Sequence, residues 1–275
     1  MTVDLHRSDL GLPAGRSYSA VVAVLRDDKF NGLTYAQDHS LPYFSISTGP
    51  LEIAPEVLAV AHRPNASPVV LASHFFAGTV ALAVLQAAKG FGRVDSIHLR
   101  AVQAEQDIGG PAALSDLARW ATVSSAGLVR RDGVFTWVLD TATDITRVDG
   151  TTLAADTVAG LDIPGLAFAT GAANVQVDFA VSESGTEPPT EVRIDLEGTD
   201  PAGTSLHTTH ALTHDAGQRP LTALGIALTV ERLLGLRGAQ VPPGVHTPES
   251  LVDPAYATQR LLEVGAKFVE LEPAG

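Results

Sequence analysis

The sequence predicts an α/β fold joined to an α+β fold: a partial doubly wound parallel sheet, then a domain built on an antiparallel sheet, then closing helices. Three observations support this prediction. Short apolar runs alternate with helical stretches at the start, longer alternating runs fill the middle, and a long apolar helix begins near residue 220. Strand–helix alternation at short spacing is typical of parallel βαβ units.

Three short apolar runs mark the first part of the chain. They are AVVAVLR, PYFSIS and PVVLAS, at residues 20–26, 42–47 and 68–73. None of them alternates cleanly between apolar and polar residues, which is typical of parallel strands covered on both faces. Helical spacing follows each run, over residues 29–38, 52–61 and 79–88. We therefore expect three parallel strands, each followed by a helix.

The pattern changes after Val94. Five longer runs with turn signals between them occupy residues 95–103, 134–140, 174–182, 190–200 and 204–214. They look like antiparallel strands. Pro220 then opens an apolar helix over residues 221–236, whose continuous apolar character predicts that it packs into a core. A last helix is expected near residues 255–264.

Composition narrows the class of protein. Hydrophobic residues make up 45% of the chain and charged residues 18%, as in a globular protein. The net charge of −13 and the presence of only three lysines argue against nucleic acid as a partner, because phosphate binding needs a basic patch. The absence of cysteine excludes disulfides and thiolate metal sites. With a polar N-terminus and no apolar run near the ~20 residues that span a bilayer, we expect a cytoplasmic protein without a membrane partner.

Several segments together carry a resemblance to a known family. They are PLTALGIALTVERLLGL and PPGVHTPESLVDPAYATQRLLEVG near the C-terminus, IPGLAFATGAANVQVDFAV at residues 163–181, and PVVLASHFFAGTVALAVL at residues 68–85. The combination resembles the saccharopine dehydrogenase-like oxidoreductases, over roughly residues 20–265. The individual segments are short and apolar, so the motifs are only moderately specific.

The resemblance implies an architecture, a chemistry and a cofactor. Residues 1–92 would form a Rossmann-like domain, 93–219 an inserted antiparallel-sheet substrate or dimerisation domain, and 220–275 helices that return to the first domain. Members of the family oxidise or reduce carbon–nitrogen bonds of small molecules with NAD or NADP. We also expect a homodimer through the antiparallel domain, because exposed sheet edges tend to be covered.

The chain departs from this family at its start. No Gly-x-Gly-x-x-Gly turn follows AVVAVLR, and 19 residues precede Ala20, whereas a βαβ unit takes ~30 or more. Gly90 and Gly92 follow a helix and precede a strand, which is the wrong context for a phosphate-binding turn. We therefore expect a truncated Rossmann-like domain with no counterpart of the cofactor-binding residues.

Three interpretations of this departure remain open. The chain is an incomplete NAD(P)-dependent oxidoreductase, or a cofactor-free isomerase, cyclase or lyase that reuses the substrate pocket, or a non-catalytic binding or subunit protein.

The candidate site follows from the strand pattern, because ligands of open α/β sheets bind beyond the carboxyl ends of the strands. This rule selects residues after each of the three predicted strands: Arg26, Asp27 and Asp28, then Ser47 and Thr48, then Ser73, His74 and Phe75. His74 is the best acid–base candidate, since an imidazole titrates near neutral pH. Asp27 is the second catalytic candidate, as a group that orients His74 or binds a substrate cation. The candidates for substrate binding are Arg26, Ser47, Thr48, Ser73 and Phe75. In the alternative interpretation, Asp27 or Asp28 caps the following helix and His74 is an ordinary loop histidine.

Three histidines lie in the last predicted strand. They are His207, His210 and His214, and the β-branched threonines between them favour a strand that places His210 and His214 on one face. We expect this strand to line a cavity or an interface, with His210 as a substrate-binding candidate. The His-Glu-x-x-His pattern of zinc enzymes is absent, so no metal site is expected. The carboxylates Asp178, Asp195 and Glu197 are expected on a solvated sheet face.

Overall fold

The computed structural model describes residues 3–46, 49, 52–110, 113–116, 118–119 and 125–272. The strands of these residues are β1 (Val21–Ala23), β2 (Tyr43–Ser45), β3 (Pro68–Leu71), β4 (Arg93–Ala104), β5 (Gly127–Arg131), β6 (Val134–Val138), β7 (Ala142–Thr146), β8 (Thr152–Thr157), β9 (Asn174–Ser182), β10 (Thr190–Thr199), β11 (Ser205–His214), β12 (Gly244–His246) and β13 (Lys267–Leu271). The helices used below are α1 (Asn31–Asp38), α2 (Ile53–Ala61), α3 (Thr79–Ala87), α4 (Asp162–Thr170), α5 (Arg219–Leu233), α6 (Pro248–Leu251) and α7 (Pro254–Glu263). Within the described residues, no helix has both the length and the apolar character needed to cross a membrane.

The first sheet is parallel and contains β1, β2, β3 and β12, in that order. Tyr43 of β2 pairs with Val21 of β1 on one side and with Val69 of β3 on the other. The three parallel strands expected from the sequence are confirmed. The fourth, β12, comes from the C-terminal part of the chain.

Both faces of this sheet are covered. On one face, Leu33 of α1 and Val60 of α2 pack against Tyr43. On the other face, Phe44 and Val70 contact a second cluster that contains Leu233 of α5. Burial on both sides explains why the central strands β2 and β3 are apolar, since each buried aliphatic or aromatic side chain contributes roughly 1.5–3 kcal/mol.

The second sheet has the order β13-β11-β10-β4-β9-β5-β6, and β8 pairs with both β9 and β7. It is mixed rather than antiparallel throughout, because β4 and β9 run parallel. A parallel pair requires a crossover connection. The segment between these strands supplies one, and it contains α4 and the strands β5 to β8.

The main core lies between the second sheet and four helices. Side chains of α3, α4, α5 and α7 pack there against β4, β9 and β10. Helix α5 contributes Leu221, Leu224 and Leu228 to this core and Leu233 to the core of the parallel sheet. The prediction that this helix is buried is therefore confirmed, and it connects the two sheets. The C-terminal segment also contributes to both, since β12 joins the parallel sheet and β13 pairs with β11.

Candidate functional site

The turn after β3 has a strained backbone. His74 is extended, and the three residues Phe76, Ala77 and Gly78 then have φ angles of 51°, 54° and 91°. The left-handed conformation costs roughly 1–2 kcal/mol for each residue that carries a Cβ. Such strain persists only where the surroundings enforce it, and it is concentrated at functional sites.

Two close contacts enforce this turn. A Cβ atom on Gly225 of α5 would lie 2.6 Å from the carbonyl oxygen of Ala77 and 2.7 Å from that of Phe76. A Cβ atom on Gly78 would lie 2.6 Å from the Cβ of Pro248. Only glycine allows α5 and α6 to approach the turn this closely.

The turn holds the side chain of His74 inside a buried cluster. The Nε2 atom of His74 lies 3.4 Å from Oε2 of Glu249, and the two side chains are 0% and 4% exposed. Asp162, at the start of α4, is also fully buried and its Oδ2 accepts the backbone N–H of Phe75 at 2.9 Å. A Cβ on Gly165 would lie 2.5 Å from Oε1 of Glu249 and 3.0 Å from Nε2 of His74, so this glycine leaves the space that the pair occupies.

The cluster lies where ligands of α/β sheets bind. His74 follows β3 and Glu249 follows β12, so both extend from the carboxyl ends of neighbouring parallel strands. Asp162 comes from the helix that packs on the second sheet. The site therefore forms between the two sheets, a common position for small-molecule sites.

The three groups shift one another's pKa values. Burial alone would lower the pKa of His74, but the Glu249 carboxylate, helped by Asp162, raises it above its ordinary value. Burial opposes ionisation of Glu249 as well, yet the imidazole of His74 and the Thr247 hydroxyl lower the pKa of that carboxyl. For Asp162 burial prevails and raises the pKa, with His74 and the Phe75 N–H acting against it. Since the groups interact strongly, they titrate as one unit.

This arrangement can perform acid–base chemistry. Both ring nitrogens of His74, Oε2 of Glu249 and Oδ1 of Asp162 are buried and have no hydrogen-bond partner among the described residues, so His74 and Glu249 form an ion pair without a hydrogen bond. A buried polar atom left this way costs roughly 1–3 kcal/mol, so these atoms favour a ligand that would bind them. The imidazole can donate a proton and the carboxylate can accept one. All three side chains are buried, so binding of a ligand requires a local opening of the structure.

Asp27, predicted to orient His74, lies elsewhere. It is buried after β1, and its Oδ2 accepts the backbone N–H of Gly32 at 2.6 Å in the first turn of α1. The structure places Glu249, and not Asp27, beside His74. Arg26 is bound to Asp28 and, at 3.0 Å, to Glu52. Its charge is therefore already balanced by carboxylates.

The remaining predicted residues that follow β2 and β3 form two groups. Ser47 and Thr48 lie outside the described residues. Ser73 and Phe75 flank His74 and are half-buried, with the Phe75 ring 6.1 Å from that of Phe179.

His210 has different surroundings. Its ring stacks on Phe268 with centroids 5.4 Å apart, and its Nε2 lies 3.9 Å from Glu270. Burial lowers the pKa of His210, against the effect of Glu270. The register with β10 places His210 and His214 on one face of β11 and His207 on the other, which confirms that prediction. In the part of the chain that is described, no group of three or more acidic or histidine side chains could hold a metal ion.

Sequence reasoning missed Glu249 and Asp162. Glu249 follows Gly244–His246, a three-residue strand too short to give a pattern, although Thr247 and Pro248 are typical of a helix start. Asp162 also begins a helix. Had Gly244–His246 been recognised as a parallel strand, the rule that selected His74 would have selected Glu249 as well.

Comparison with known proteins supports the fold. No family model and no curated protein sequence matches the chain. Apo saccharopine dehydrogenase (L-Glu forming) from Saccharomyces cerevisiae is similar in structure, with a TM-score of 0.57 and 11% identity, over 92% of this chain and 85% of that chain. Amine dehydrogenase from Mycobacterium smegmatis matches with a TM-score of 0.45 and 14% identity, over 84% of this chain and 74% of that one. At 11% identity, the likeness to the yeast enzyme shows the fold alone, a Rossmann-like α/β fold.

The described residues do not fit a dinucleotide. Such cofactors place their pyrophosphate at a helix N-terminus, at the point where the strand order of the sheet reverses. From one edge of the described sheet to the other, β1, β2, β3 and β12 follow one another in the order in which they occur in the chain. The described strand order therefore has no point of reversal. The Asp27 carboxylate binds the N–H of Gly32 in the first turn of α1, where a phosphate would bind. The turn before α3 is the strained one that holds His74.

Proposed function

We propose that this protein is a small-molecule enzyme that transfers protons at His74, Glu249 and Asp162, without a dinucleotide on its own parallel sheet. The observation that carries the proposal is the buried imidazole–carboxylate pair beyond the carboxyl ends of β3 and β12. The reaction is an isomerisation, a cyclisation or a lyase step, each of which needs a proton donor and a proton acceptor but no electron carrier.

Each residue has a separate role in this proposal. The Glu249 carboxylate raises the pKa of His74, which favours the protonated imidazole, and His74 acts as the general acid. Glu249 positions the imidazolium and balances its charge. Asp162 is the general base, since a carboxylate with a raised pKa accepts a proton more readily than an ordinary one. The Phe75 N–H holds its Oδ2, which leaves Oδ1 for the substrate.

A hydrogen-exchange experiment tests this function without knowledge of the substrate. The 275-residue chain is incubated in D₂O with a pool of small metabolites and no dinucleotide, and mass spectrometry follows deuterium at carbon. We expect the wild type to label at least one metabolite and His74→Gln to lose the activity. His62→Gln, which changes an exposed histidine at the end of α2, is the matched control and should remain active. Labelling that is unchanged in His74→Gln, or absent in the wild type, would contradict the proposal.

A second candidate is a dinucleotide-dependent oxidoreductase acting on a small molecule. Its support is the fold similarity to the yeast saccharopine dehydrogenase over 92% of the chain, with a TM-score of 0.57. It is an argument from fold alone. This function requires nucleotide-binding groups outside the described residues, and it predicts micromolar binding of NADH or NADPH.

A further inference from the structure

A polar cavity lies on the face of the second sheet that is opposite the main core. It has a volume of about 570 Å³, within the usual range of small-molecule sites. The register places His98 of β4 opposite Asp195 of β10, and Arg100 opposite Arg193, and all four residues line the cavity. The cavity is separate from the His74 cluster, because it lies on the other face of this sheet.

Two arginines in this cavity share one carboxylate. Arg100 binds Oδ2 of Asp195, and Nε of Arg193 lies 3.2 Å from Oδ1 of the same residue. The Thr209 hydroxyl donates to Oδ1 at 2.7 Å. Like charges directly opposite each other on neighbouring strands destabilise a sheet, and a single carboxylate balances only one of the two guanidinium groups. An anion in the cavity would balance the second.

The other charged residues of the lining, Arg131 among them, lie mostly at exposed positions. Four arginines and three carboxylates line the cavity, whereas the chain as a whole has a net charge of −13. Arg131 lines it and has no ion pair among the described residues, and the carboxylates Asp132 and Glu197 are exposed. With Asp178, which binds His98, the carboxylates around the cavity equal the arginines in number, so its positive charge is concentrated at the half-buried Arg100 and Arg193, which share Asp195.

A buried carboxylate orients the histidine of the cavity. Nε2 of His98 lies 2.5 Å from Oδ2 of Asp178, whose side chain is 1% exposed. Oδ1 of Asp178 accepts from the Thr157 hydroxyl at 2.8 Å and from the Gln176 amide at 2.9 Å. Since Nε2 is committed to Asp178, Nδ1 is the nitrogen of His98 that a ligand can bind.

We propose that this cavity binds a small hydroxylated organic acid. Its carboxylate or phosphate group lies between Arg100 and Arg193, because the planar guanidinium fork matches both oxyanions. A hydroxyl group of the ligand hydrogen-bonds to Nδ1 of His98. The site is independent of the proton-transfer function proposed for His74.

Isothermal titration calorimetry at low salt tests this site, with malate, glycerol phosphate and glycerol as probes for the 275-residue chain. We expect saturable binding of malate or glycerol phosphate, and not of glycerol. Arg193→Gln should weaken binding by about tenfold or more, because charge-assisted bonds are the strong ones. This variant keeps the fold, since Arg100 and Thr209 still bind Asp195.

Arg93→Gln is the matched control. Arg93 begins β4 but binds Asp95 outside the cavity, with 66% of its side chain exposed. It should bind the probes like the wild type. Three results would overturn the proposal: no saturable binding of either acid, equal binding of glycerol and glycerol phosphate, or equal weakening in both arginine variants.

Discussion

Nε2 of His74 and Oε2 of Glu249 lie 3.4 Å apart, in a space that exists because residue 165 is a glycine. The two side chains come from turns that are far apart in the chain and extend from neighbouring parallel strands. Gly165 belongs to α4, which packs on the other sheet. The pair therefore depends on how the two sheets meet, and its removal should affect both stability and chemistry.

The first prediction concerns Gly165→Ala. The new Cβ would lie 2.5 Å from Oε1 of Glu249 and must displace the pair or α4. Overpacking of this kind costs roughly 1–3 kcal/mol in the free energy of unfolding, measured by urea denaturation. Gly90→Ala is the control, because nothing lies within 4 Å of its added Cβ. An equal loss of stability in both variants would show that Gly165 does not lie in close contact with Glu249.

The second prediction separates the structural and chemical roles of Asp162. Asp162→Asn keeps an oxygen for the Phe75 N–H and removes a charge that burial disfavours, so it should be as stable as the wild type or more stable. Asp162→Ala leaves that N–H without its acceptor and should lose roughly 1–3 kcal/mol. If Asp162 is the general base, the stable Asn variant nevertheless loses deuterium exchange. A fully active Asn variant would rule out this role.

The third prediction concerns pH. His74 has a raised pKa, so its contribution to stability is present below its ordinary value of 6.5 and is lost as the pH rises through the raised value. Glu249 has a lowered pKa, so its contribution is present above its ordinary value of 4.5 and is lost as the pH falls through the lowered value. We therefore compare the wild type with the double variant His74→Gln/Glu249→Gln. The difference in their unfolding free energies should be largest between pH 4.5 and pH 6.5, the ordinary pKa values of the two groups. A difference that is constant from acid to alkaline pH would show that the pair is not ionised in the folded protein.

The fourth prediction is a homodimer that uses the edge of the second sheet. Strand β6 is that edge. Val134 and Trp137 of β6 are 63% and 48% exposed, and Leu139, just after the strand, is 81% exposed. Phe168 of α4, whose ring contacts Phe135, is 77% exposed. Exposed apolar edges tend to be covered by another chain.

Light scattering should give twice the 28.6 kDa of one chain, and Trp137→Lys should give a monomer. Leu262→Lys, which changes an exposed residue of α7, is the control that should stay dimeric. A wild-type monomer at micromolar concentration would contradict this prediction.

Sequence reasoning recovered the strands and helices with strong local patterns. The apolar run before His74 predicted β3, and the apolar helix after Pro220 predicted α5, because burial leaves a continuous apolar pattern. The partners of His74 were not predictable in this way. Glu249 reaches His74 only because the three-residue strand β12 pairs with β3, and no local pattern encodes that pairing. Likewise, His98 meets Asp178 only through the parallel pairing of β4 with β9.

We propose that the described parallel sheet supports an acid–base centre and does not hold a dinucleotide. Isothermal titration calorimetry of the 275-residue chain with NADH and with NADPH tests this proposal. The one-directional strand order and the Asp27 carboxylate in the first turn of α1 predict no saturable binding at micromolar concentration. Saturable micromolar binding of either cofactor would overturn this proposal and favour a dinucleotide-dependent oxidoreductase.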